Sequence, residues 1–193
     1  MNDTNVNLDH EIKLNRADRR AIADKCKRTG RFGELEIAKK LREMGYGVVD
    51  LNDKRKNHPN VDLRTVNKSG KILNISVKST SHVRGTIKFS GTSKDPVCNK
   101  SNNGPKADVV VLLMPSKDGR SLRYFIVPVD VVERAVRESH EFWLSHKKMN
   151  GEPRKDSVRM ICFYGEDTPT IICNNFAEKW KEYEDNWGIL EEC

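Results

Sequence analysis

No run of this 193-residue chain is apolar for long enough to cross a bilayer, so no membrane partner is expected. A glycine-rich phosphate loop is absent, which argues against a nucleotide cofactor, and no Ser-His-Asp arrangement can be traced. The five cysteines, at 26, 98, 162, 173 and 193, form no CxxC and no Cys/His cluster with zinc spacing. Their odd count and apolar settings (Cys26 on a helix stripe, Cys162 and Cys173 in strand-like runs) predict buried free thiols and a reducing compartment. The polar start, Met1 to Asn5, has no signal-peptide core, so a cytoplasmic location is expected. Acid is also short: 28 acidic against 35 basic residues leave a net charge of +7, a balance that suits a polyanionic partner. The bases cluster. Lys13, Arg16, Arg19, Arg20, Lys25, Lys27, Arg28 and Arg31 crowd the N-terminal segment, and Lys88, Lys94, Lys100 and Lys106 stud a later polar stretch. Both clusters are candidate phosphate contacts for DNA.

The pattern of elements predicts one mixed α/β domain over residues 15–193 behind a loose tail, 1–14. Within it, about 30–128 forms the core and 129–193 a C-terminal extension. Asn15 is placed to cap a first helix running to Gly30, and a second helix runs from Gly33 to Gly45. Strands are expected at Gly47–Leu51, Asn60–Val66, Lys71–Lys78, Thr86–Phe89, Val109–Met114 and Leu122–Val127, with a long polar loop from Ser90 to Lys106. Asp130 and Glu133 open a helix through about Lys147, and short strands follow at Val158–Tyr164 and Thr170–Cys173. Phe176, Trp180, Tyr183, Trp187 and Leu190 recur at helical spacing and predict a last amphipathic helix whose stripe is a core or homodimer seam.

Chemistry concentrates in one hairpin. Pro59-Asn60-Val61-Asp62 leads into its first strand, Asn67-Lys68-Ser69-Gly70 is the turn, and Ser76-Val77-Lys78 closes its second strand. Alternation puts Asn74, Ser76 and Lys78 on the face opposite Leu73, Ile75 and Val77. A carboxylate and a lysine at one end of a small sheet are the groups a phosphodiesterase needs, one to hold a divalent metal and one to steady water or phosphate charge. In the helix from Gly33, the stripe Ile37, Ala38, Leu41 and Met44 extends back to Glu34, which must point inward. Glu36 falls on the solvated side, in register to pair with Lys40. A buried acid needs a partner, and a metal shared with Asp62 would be one. His58 and His82 flank these groups as ordinary loop histidines.

A helix bearing Glu34, then Pro59-Asn60-Val61-Asp62, then Ser76-Val77-Lys78 resembles the PD-(D/E)XK nuclease superfamily over about residues 30–80. The resemblance implies a restriction-endonuclease-like fold, a mixed central β-sheet flanked by helices, here with a C-terminal helical extension. It implies a metal-dependent endodeoxyribonuclease using Mg²⁺, with Mn²⁺ as a substitute, in restriction, defence, repair or junction processing. Glu34, Asp62 and the carbonyl of Val77 would hold the metal, and Lys78 would act on water or phosphate. Ser76 departs from the family pattern, which has an acid two residues before the lysine, and would serve as a water-holding group. The usual helix after the third strand also has no clear counterpart. The Ser76 departure gives the alternative its weight: a DNA-binding or assembly module on the same fold, without activity.

Overall fold

A computed structural model describes residues 16–53, 60–82, 84–89, 106–156, 158–169 and 172–193, with side chains of the first helix described from residue 28 onward. That helix, α1, is Arg16–Glu43, and three strands follow it: β1 Gly47–Asp50, β2 Leu63–Val66 and β3 Ile72–Ser79. Next come β4 Thr86–Phe89, β5 Val109–Pro115, β6 Leu122–Pro128 and helix α2 Val129–Ser145. The chain then forms β7 Arg159–Cys162, the single turn α3 Phe176–Lys179, a 3₁₀ turn at Lys181–Tyr183 and α4 Ile189–Glu192. The central sheet has the order β1-β2-β3-β5-β6, antiparallel except for the parallel pair β3–β5, and β4 and β7 form a separate two-stranded sheet. The expected mixed α/β architecture with a helix-flanked central sheet is therefore present. The predicted tail, Lys94 and Lys100 lie outside the described residues.

Alternation along the strands assigns the two faces of the central sheet. Leu63, Leu73, Ile75, Val77, Val109 and Val111 pack with Ile37, Ala38 and Leu41 of α1. On the opposite face, Val110, Leu112 and Met114 pack with Ile87, Ile161, Val132 and Val136, so β4, β7 and α2 cover the β5 side. The continuous apolar run of β5 is buried on both faces, as such a run requires.

Two expectations about the helices are corrected. The N-terminal helices are one: α1 runs unbroken through Gly30 and Gly33. A Cβ built on Gly33 would lie 2.6 Å from both Cβ and Oγ of Ser79, so this glycine is where α1 touches β3 rather than where a second helix begins. The end comes at Gly45, with φ of 87°. Gly45 N–H donates to Arg42 O (2.9 Å) and Tyr46 N–H to Leu41 O (3.0 Å), the double closure of a Schellman motif. The last aromatic helix is not one helix. Phe176 and Trp180 are buried in the core under β4 and β7, whereas Ile189 and Leu190 are buried in the core under α1. The segment must cross the edge of β6 to reach both, and it does so where Asp185 N–H donates to Tyr124 O (2.9 Å) and Glu184 bridges Phe125. Arg123 grips Glu184 at the crossing (2.5 and 2.6 Å), which also covers the edge strand. The spacing read burial correctly at Phe176, Trp180 and Leu190; the straight backbone it implied could not touch two faces of one sheet.

The Gly33 contact yields a prediction with an unusual sign. Gly→Ala inside a helix ordinarily stabilises by about 0.5–1 kcal/mol. Here the new methyl meets a Cβ that cannot rotate away, and overpacking of this kind costs about 1–3 kcal/mol. Gly33→Ala should lower the urea midpoint, and Ser79→Gly in the same chain should recover much of the loss. A Gly33→Ala protein as stable as its parent would mean that α1 does not rest on β3 at this point.

Candidate functional site

Asp62 stands just before β2, at the mouth of the hairpin. Asn60 enters the segment with φ of 65°, a left-handed conformation that Asn tolerates better than most residues, and turns the chain into the strand. Asp62 N–H donates to Ile75 O (2.9 Å), and Leu51 N–H donates to Asp62 O (3.0 Å), so the backbone of Asp62 is pinned between β1 and β3. Its carboxylate is pinned as well. Oδ2 accepts from Val77 N–H at 2.7 Å and, more weakly, from Ser76 Oγ at 3.4 Å, while Oδ1 accepts from Asn52 Nδ2 at 3.2 Å. Lys78 Nζ donates to Ser76 Oγ at 3.0 Å. Asp62, the buried hydroxyl of Ser76 and Lys78 therefore form one connected row along the end of the hairpin. The N–H and C=O of a strand residue leave on the same side, so the Val77 carbonyl also faces the Asp62 edge.

Glu34 reaches this region from α1, as its helical register predicted, and its side chain is only 16% exposed. Burial, the leading cause, pushes its carboxyl above the ordinary range, and the negative charge of Asp62 adds to that. The Arg31 and Asn52 hydrogen bonds pull the other way. Asn52 thus ties Glu34 and Asp62 together through one amide. Glu36 lies on the other side of the helix, half-buried. It accepts a hydrogen bond from Tyr124 Oη at 3.3 Å, and Lys40 Nζ sits 5.8 Å from the centre of the Tyr124 ring. The expected Glu36–Lys40 pair is replaced by this shared tyrosine. Burial and the Glu36 charge push the Tyr124 phenol up to about 12.

Asp50 and Asn52 were not anticipated as residues of the site. Asp50, at the end of β1, accepts from Asn52 N–H (3.0 Å) in a tight turn and lies 2.8 Å from Arg31 Nη1. Arg31 was expected to face phosphate; instead it turns inward between Asp50 and Glu34. The sequence held a signal for Asp50. Alternation in β1 puts it on the face of Val48, the face that packs toward α1.

The other basic candidates divide. Arg28 is exposed and lines a cavity of about 390 Å³ with Phe32, Ser79 and Thr80, just past the end of β3. Lys88 and Lys106 are exposed. Arg16, Arg19, Arg20 and Lys27 lie on α1, but their side chains fall outside the described residues. Cys162, Cys173 and Cys193 are free thiols, half-buried rather than fully buried. Among the described residues no group of three or more His, Cys, Asp or Glu side chains is arranged to hold a metal ion, and no helix is long and apolar enough to cross a membrane.

The chain matches no protein-family model and no curated protein. Among solved structures it is similar to a bacterial homing endonuclease, with 17% identity over 85% of this chain and 91% of the other and a TM-score of 0.47.

Proposed function

We propose that this protein is an endodeoxyribonuclease that hydrolyses DNA phosphodiesters with a divalent cation, Mg²⁺ or, in its place, Mn²⁺. The observation that carries the reading is the convergence at one hairpin end of an anchored Asp62, an inward Glu34 and Lys78, with the Ser76 hydroxyl linking lysine to aspartate. The donor set fits such an ion. Mg²⁺ needs only one or two carboxylates and keeps several waters. Glu34 and Asp62 are those two, and the Val77 carbonyl is a third oxygen on the same edge. Burial first, and then the charge of Asp62, raise the Glu34 carboxyl, and a cation beside the two acids relieves both. When bound, the ion would polarise the phosphate and acidify a water.

The chain's own groups supply the rest. Val77 N–H and Asn52 fix the two oxygens of Asp62, so the carboxylate cannot rotate away. Lys78 offers its remaining protons to the attacking water or to phosphate oxygens. Ser76 supplies no charge; it orients the ammonium. Arg28, Lys88 and Lys106, all exposed, are the described candidates for holding the duplex.

Ser76, standing where the family pattern has an acid, favours a second reading as a silent DNA-binding or assembly module. One assay separates the two. Purified full-length chain incubated with supercoiled plasmid and Mg²⁺ or Mn²⁺ should give nicked or linear product that EDTA prevents. Intact plasmid that nevertheless shifts on a gel would select the silent module.

A further inference from the structure

One nitrogen of Arg31 sits between two acids from different elements. Nη1 is 2.9 Å from Glu34 Oε2 and 2.8 Å from Asp50 Oδ2. Both carboxylates are largely covered, at 16% and 10% exposure, whereas Arg31 is 37% exposed and stands at the rim. Asp50 is itself fixed by Asn52 N–H, and Asn52 in turn holds Asp62. A positive charge is thus already placed on one oxygen of Glu34, the acid that a metal would use. Of the three groups Arg31 is the most exposed, so its guanidinium has a path toward solvent.

We propose that Arg31 is a built-in competitor for the divalent cation: anchored by Asp50, its guanidinium neutralises Glu34 until an ion takes its place. The inference rests on the metal-dependent reading of the same site. It gives Arg31 two states. Without metal it compensates buried acids and stabilises the fold. With metal on Glu34 it is released toward solvent, still tethered near Asp50, where its fork matches a phosphate. The site would then be held together by a cation in both states, the protein's own or a borrowed one.

The competition has a thermodynamic signature that needs no DNA. A side chain that must leave before metal binds weakens metal affinity, and hydrogen bonds to charged groups are strong enough for about a tenfold effect. The experiment is a Mg²⁺ titration of the full chain by calorimetry, paired with thermal melts with and without Mg²⁺, for the parent, Arg31→Met and Arg31→Lys. Arg31→Met should melt below the parent without metal, bind Mg²⁺ about tenfold more tightly and lose most of its melting deficit at saturating Mg²⁺. Arg31→Lys, a cation that meets one acid at a time, should fall between the two. Should Arg31→Met fold only with Mg²⁺, the replacement of one cation by another is seen directly; should it not fold at all, Arg31→Lys decides. A melting deficit that Mg²⁺ leaves unchanged, with unaltered affinity in both variants, makes Arg31 a structural pin and overturns the proposal while leaving the nuclease reading in place. No Mg²⁺ binding by the parent or either variant removes the nuclease reading, and the competitor with it.

Discussion

Glu34→Gln should leave supercoiled plasmid intact at every Mg²⁺ concentration, while Glu36→Gln cuts like the parent. The two acids are two residues apart, and only the helical register separates them. Glu34 shares the stripe of Ile37, Ala38 and Leu41, each fully buried, and its carboxylate lies beside Asp62. Metal polarisation is worth several kcal/mol in the transition state. At about 1.4 kcal/mol per factor of ten, loss of a ligand should cost roughly two to three orders of magnitude in rate. β3 holds Ser76 and no acid anywhere along its length, so no neighbouring carboxylate on that strand can take over. Glu36 contributes one 3.3 Å hydrogen bond from Tyr124, which a glutamine oxygen can also accept, so its loss should cost a few tenths of a kcal/mol. Plasmid cleavage across a Mg²⁺ titration checks both. The reverse pattern would place the other face of α1 against the site.

Stability should move opposite to activity. Burial raises the Glu34 carboxyl in the folded protein above its unfolded value, so the native state holds that proton more firmly. Stability from this group is therefore present at acid pH and is lost as pH rises through the raised value. Glutamine carries no such penalty. Metal-free Glu34→Gln should melt no lower than the parent at neutral pH, with the difference closing as pH falls below the ordinary carboxylate range. A variant that is inactive yet at least as stable is the mark of a residue kept for its chemistry.

What the sequence revealed and what it withheld have physical reasons. The faces of Glu34, Ser76 and Lys78 follow from a local period, 3.6 residues on α1 or two on β3, whereas Asp62, which stands before β2, was singled out by its Pro59-Asn60-Val61-Asp62 motif. The Arg31 contacts to Asp50 and Glu34 were not legible because charge density says only that bases are crowded. Whether a given base turns out to phosphate or in to a carboxylate depends on β1, which reaches α1 only in the folded chain. Asp50 needed that same contact to become meaningful. Gly30 and Gly33 read as the end of one helix and the start of the next because propensity counts backbone entropy, whereas at Gly33 it is the absence of a side chain against Ser79 that matters. In the C-terminal segment, burial was legible at Phe176, Trp180 and Leu190 and the backbone path was not, since two cores share one stripe.

Lys78→Met should lower the cleavage rate by about a hundredfold to a thousandfold, the usual loss for one preorganised electrostatic group in an active site. The ammonium has an established place: 3.0 Å from Ser76 Oγ, in a row that ends on Asp62. Methionine keeps the apolar stem, and Lys78 is only half-buried, so folding should survive. Lys78→Arg should rescue poorly, because a planar fork cannot present one compact charge at the same point. Ser76 then tests the row itself. Ser76→Ala removes the acceptor for Lys78 and the weaker donor to Asp62, but Val77 N–H still holds that carboxylate at 2.7 Å. Its loss should be milder, about tenfold, and should add little on top of Lys78→Met, since both changes act through the ammonium. Single-turnover cleavage rates of the two single variants and the double variant, with melts to show that each is folded, complete the cycle. Independent, multiplying losses would separate Ser76 from the lysine. Undiminished cleavage by Lys78→Met would remove the lysine from the chemistry and leave two carboxylates beside a hairpin as the whole case for a nuclease.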